Sequence, residues 1–106
     1  MPKFLMEVSY TTEGAKGLLK DGGTKRRAAA KAAAESVGGT LESMYYAFGK
    51  NDAVLIADFP DTAAAAALAI TLAASGAVTN RTTPLLSVED IDAATKKSPS
   101  YTPPGR

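Results

Sequence analysis

The chain contains no cysteine and no histidine. Without cysteine there is no disulfide framework and no thiol chemistry, which fits a reducing cytosol. Without either residue, the usual zinc, copper and haem ligands are missing. Ser-His-Asp and Cys-His catalytic sets are excluded for the same reason. An excess of one charge is lacking too. Twelve Lys+Arg against 11 Asp+Glu leave +1, which gives no general reason to bind nucleic acid or an anionic membrane. Nor is there a long, strongly apolar run. The longest low-charge stretch, 62–80, is mostly Ala, with Thr, Ser and Gly inside it. Its large residues Leu68 and Leu72 recur at i, i+4, so it reads as a helix of a soluble protein; a membrane span needs ~20 strongly apolar residues. The opening MPKFLMEVSY carries Glu7 and reads as a strand rather than a targeting segment. We therefore expect a cytoplasmic protein with no cofactor, no metal, no membrane contact and no nucleic-acid partner. Carboxylate, Tyr, Lys, Arg, Ser and Thr chemistry remains.

What is present in excess is alanine, with 21 of the 106 residues. Leu, Ile, Val and Phe together total only 20. At this length one domain is expected, because domains cluster near ~100–150 residues. Its core must be compact, with small residues letting elements approach closely. A domain this small buries only about two-thirds of its unfolded surface. Oligomerisation is the remaining way to bury more.

Along the chain, Phe4, Met6, Val8 and Tyr10 alternate with Leu5, Glu7 and Ser9, a period-two strand with one apolar face. Thr12 then caps a short helix over 13–20. Gly22-Gly23 interrupts, and Thr24 caps a second run to 37 with high helix propensity, ended by Gly38-Gly39. A second strand is expected over 40–48. Gly49-Lys50-Asn51-Asp52 is a turn signal, in which Asp52 bonds turn backbone N–H groups. The segment AVLIADF, 53–59, is apolar on both faces until Asp58, as in a central strand covered on both sides. Asp61 caps a helix over 62–75, closed by Gly76. Ile70 points away from the main apolar face of that helix. A fourth strand follows over 77–86, with Pro84 marking an edge or exit. Ser87-Val88-Glu89-Asp90 fits a capping box and starts a short helix to 97.

This order is the ferredoxin-like βαββαβ arrangement, an α+β fold with an antiparallel sheet and an extra C-terminal helix. Residues 1–97 form the expected domain and 98–106, rich in Pro, a flexible tail. Helices covering one sheet face would leave the other open, yet the third strand is apolar on both. A second copy packed sheet to sheet resolves that conflict.

The stretches KFLMEVSYTTEGAKGLLKDGGTKRR, GGTLESMYYAFGKNDAVLIADFPD, ALAITLAASGAVTNRTTPLL and SVEDIDAATKK together resemble the GYD-domain family of small bacterial proteins. That resemblance implies a ferredoxin-like fold of the dimeric α/β-barrel type. The family takes its name from a Gly-x-Tyr-Asp-like turn. Here it reads Gly49-Lys50-Asn51-Asp52, so Asn51 holds the tyrosine position and no ring-dependent role carries over. The turn is also similar to one in the small-molecule-sensing domains of feast/famine regulators. This shorter match implies only the fold and the idea of a ligand at an interface.

Two residue sets carry chemistry. The first is Glu7 and Ser9 on the first strand, Tyr45 or Tyr46 on the second, and Asn80 or Arg81 on the fourth. A carboxylate, a phenol and a guanidinium around an apolar floor suit a small polar ligand, and a buried Glu suits a base. The same residues also read as a polar network in a dimer interface, with Glu7 paired to Arg81. The second set is Gly22, Gly23, Thr24, Arg26 and Arg27. Free N–H groups at a helix start and two guanidinium groups suit a small anion. The spacing is neither a Walker A motif nor a dinucleotide fingerprint, which favours reading the segment as a solvated helix with a Gly-Gly hinge. The expected function is a homodimeric unit that binds a small anionic or polar molecule or serves assembly. The rival is a cofactor-free monooxygenase- or isomerase-like enzyme using Glu7 or a Tyr, which the absence of His disfavours.

Overall fold

Period-two alternation does form the first strand. In the computed structural model, which describes residues 1–47 and 49–106, β1 spans Lys3–Tyr10, α1 Thr12–Ser36, β2 Thr40–Tyr46 and β3 Ala53–Asp58. Helix α2 spans Thr62–Ala74, β4 Val78–Pro84 and α3 Val88–Thr95. The four strands make one sheet in the order β2-β3-β1-β4, with every pairing antiparallel. This is the expected α+β, ferredoxin-like arrangement with an added helix. The second strand, expected over 40–48, ends at Tyr46 and leaves Ala47 outside it, while Phe48 lies outside the described residues.

Phe4, Met6 and Val8 point to the helix side and are buried with Ala53, Leu55 and Ala57 of β3. Ala34 of α1 and Ala65 and Leu68 of α2 close over them. Phe59, fully buried just past β3, meets Phe4 edge to face at 5.5 Å between ring centroids. Burial of a side chain of this size is worth about 1.5–3 kcal/mol. The core is small-residue-rich, as the composition implied, with Ala on β3, α1 and α2. Where strand and helix come closest, Gly14 leaves room for the Ala77 carbonyl, and a Cβ there would collide with it.

The break inside α1 is narrower than expected. Gly22 alone leaves helical geometry, at φ 80° and ψ 167°, and the helix resumes at once. That backbone region is essentially restricted to glycine. The N-cap is Thr11 rather than Thr12: its hydroxyl accepts from the Gly14 N–H at 3.3 Å. Asp61 caps α2 as expected, and Ser87 and Asp90 form the capping box of α3.

Strand β2 carries a bulge between Leu41 and Ser43. The extra residue lets Leu41 and Met44, three apart, both face the helices, which strict alternation forbids. Helices α1 and α2 lie on one face of the sheet. The other face presents rows read from the strand register: Ser43, Ile56, Leu5 and Thr83, then Tyr45, Val54, Glu7 and Arg81. Helix α3 buries none of its residues. With this projecting arm and the segment after it, the radius of gyration is 17.0 Å, against about 13 Å for a compact chain of this length.

Candidate functional site

The open face holds a polar network around Glu7. The register sets Glu7 directly opposite Arg81, the partner expected from the sequence. Among the described residues, however, the Glu7 carboxylate pairs with Asn51 instead: the Asn51 amide donates to Glu7 Oε2 at 2.9 Å. Ser9 Oγ donates to Asn51 Oδ1 at 3.4 Å. Donor and acceptor ends of the amide are thus both used in their proper sense. Arg81 is exposed and, among the described residues, forms no ion pair. The reason is reach. Asn51 comes from the turn over the end of the sheet and meets the half-buried carboxylate there, whereas the long Arg81 side chain keeps its charge in water.

Among the described residues, the Asp52 side chain makes no bond within the turn. Its carboxylate accepts from the Tyr10 backbone N–H at 2.8 Å and so ties the turn to the end of β1. The Asp52 N–H donates to the Val8 carbonyl at 2.9 Å, which continues that tie. The turn therefore acts as a clip that carries Asn51 to Glu7.

The two tyrosines divide. Tyr45 stands in the Glu7 row at the outer strand and is 71 % exposed. Tyr46 pairs with buried Ala53, and its hydroxyl donates to the Gly23 carbonyl at 3.1 Å, on the helix side. Tyr46 is thus separated from Glu7. Asn80 also lies on the helix side, where its amide donates to the Ala69 carbonyl at 3.0 Å. At the far end of the open face, Lys3 meets Glu42 at 2.7 Å and Asp58 at 3.0 Å. The hydrogen bond that Lys3 donates to Glu42, then that to Asp58, raises the Lys3 pKa.

The glycine-arginine set is not gathered into one clamp. Asp21 supplies the local carboxylate, 3.5 Å from Lys25 and 3.7 Å from Arg26. Arg27 and Thr24 line a groove beside Tyr45, while Arg26 turns toward the space under the helices. Tyr10, missed as a site residue because it continued the apolar alternation, lines that same space. Burial raises the pKa of its phenol above the ordinary value, Tyr46 adds to the rise and Arg26 draws it partly back. Asn51 was missed too, although its place beside a turn-forming Asp was the available signal.

Among the described residues, no group of three Asp or Glu side chains is placed to hold a metal ion. No helix among them is long and apolar enough to cross a membrane. A family model described as GYD domain matches residues 4–95. No curated protein and no solved structure matches the chain at a significant level.

Proposed function

The chain belongs to the GYD-domain family, and from that premise we propose that it is a homodimerising unit whose open sheet face packs against the same face of a second copy. One observation carries the reading. Leu5, Val54 and Ile56 form an apolar strip on the face that α1 and α2 leave uncovered. The strip is bounded by the Glu7 carboxylate on one strand and, on the next, by the Arg81 guanidinium, which forms no ion pair among the described residues. A two-fold contact must be self-complementary, and a face with both charges around an apolar centre meets that condition. The projecting arm adds support: Leu86, Val88 and Ile91 are exposed along it, and a second copy gives them cover.

The rival enzymatic reading needs a base. Tyr10 is displaced the wrong way for one, because its raised pKa keeps the phenol protonated. Light scattering at low micromolar concentration tests the proposal. The expected mass is twice the 10.9 kDa of one chain. A stable 10.9 kDa species with a cooperative thermal transition overturns it.

A further inference from the structure

Beneath α1 and α2 lies a cavity of about 110 Å³. Protein interiors hold few voids larger than a water molecule, so an unfilled space of this size is unusual. Its origin is compositional. Helix α1 presents Ala30 and Ala33 where larger side chains would fill the gap, and α2 supplies only Leu68 and Leu72 from across. Among the described residues, only Tyr10 and Arg26 bring polar side chains to the lining. Arg26 is half-buried, lies 3.7 Å from Asp21 and reaches the Tyr10 phenol. A guanidinium carries five N–H donors, so donors remain for a ligand. The raised pKa of Tyr10 leaves the phenol an O–H donor at neutral pH.

We propose that this cavity binds a small monocarboxylate with a compact apolar body, the carboxylate held by Arg26 and Tyr10 and the body lying among Ala30, Ala33, Leu68 and Leu72. Size and charge select that class together. An apolar cavity of ~150 Å³ takes a benzene ring, and this one is smaller, so a single ring or a short branched chain is the upper limit of what it admits. Two donors at the rim of an apolar space favour an anionic head over a neutral or cationic one. The site is complete within one chain, so it stands apart from the sheet-face dimer.

Benzoate is the test compound, with benzylamine and toluene as its charge controls. Titration followed by backbone amide shifts should perturb Ala30, Ala33 and Leu68, with an affinity of roughly millimolar or tighter. Benzylamine should bind at least about tenfold more weakly. Arg26→Gln should weaken benzoate about tenfold and leave toluene unchanged. Ala33→Met should fill the space, abolish binding of both and leave the melting temperature unchanged or higher. Ala30→Val, a smaller addition, keeps the experiment decisive if Ala33→Met does not fold. The proposal fails if benzoate moves none of these amides up to about 20 mM. It fails equally if benzylamine binds as well as benzoate, or if Arg26→Gln leaves benzoate affinity unchanged.

Discussion

The two faces of the sheet are made by the same strands and finished differently. On the helix side, Phe4, Met6 and Val8 of β1 and Ala53, Leu55 and Ala57 of β3 are all buried. On the open side, Leu5, Glu7 and Ser9 of β1 and Val54, Ile56 and Asp58 of β3 are all half-buried. The helix side is closed by the chain itself but underfilled, because alanine helices cover a surface without occupying its volume. The open side is well formed but uncovered, and its one carboxylate in the apolar strip is held by a turn residue. Closure and filling are therefore separate properties. On the helix side this Ala-rich chain achieves closure and leaves volume unfilled, and on the open side it leaves a well-formed surface uncovered.

The sharpest way to separate the faces is truncation on the closed side. Phe59→Ala removes a fully buried ring in contact with Phe4 and should cost about 3–5 kcal/mol in urea unfolding. A loss under about 1 kcal/mol would mean that the helix side already tolerates voids so well that the contrast between faces disappears.

Ile56→Asp probes the other side. In a monomer, a charge at a half-exposed position would change stability little. In a sheet-packed dimer it buries two carboxylates without partners, a penalty of about 3–5 kcal/mol. The variant should therefore run as a monomer in light scattering and unfold at lower urea. Retention of a dimer by Ile56→Asp would place the interface elsewhere.

A smaller effect is expected at Glu7. Glu7→Gln keeps an acceptor for Asn51 but loses its charge, so stability should fall by about 1 kcal/mol. Arg81→Gln, by contrast, should leave the unfolding of the isolated chain unchanged while weakening dimerisation. If Arg81→Gln destabilises the chain more than Glu7→Gln does, Arg81 rather than Asn51 is the working partner in solution.

The smallest effect is alkaline. The Tyr10 pKa is raised from the model-compound value of 10.0. The unfolded chain thus loses this proton before the folded one. Stability from this group is full below pH 10.0 and declines as pH rises from there through the folded pKa. Lys3, also raised, adds a decline of the same sign. Tyr10→Phe should flatten part of the alkaline slope in pH-dependent melting, and an unchanged slope would show that the helix-side rim does not desolvate the phenol.

Much of this organisation was legible in the residues because it is local. Alternation from Phe4 to Tyr10 marks β1, Asp61 and Ser87 mark helix starts, and Gly22 marks the kink, each through interactions within a few positions. The continuous apolar run of β3 placed it inside the sheet, between β1 and β2. The candidate site was legible only in part. The sequence suggested a Glu7–Arg81 pair, and the register does set the two opposite, yet the bond went to Asn51, 44 positions away, because side-chain reach and the Asp52 clip decide among neighbours. Which tyrosine joins Glu7 depended on the bulge in β2, which reverses facing for every later residue of the strand. Local periodicity, caps and breaks were thus determined by the sequence itself, since they depend on the backbone preferences of adjacent residues. The partner of Glu7, the facing of Tyr45 and Tyr46, and the space under the helices were decided by tertiary structure alone, because each depends on atoms that come together only when distant segments pack.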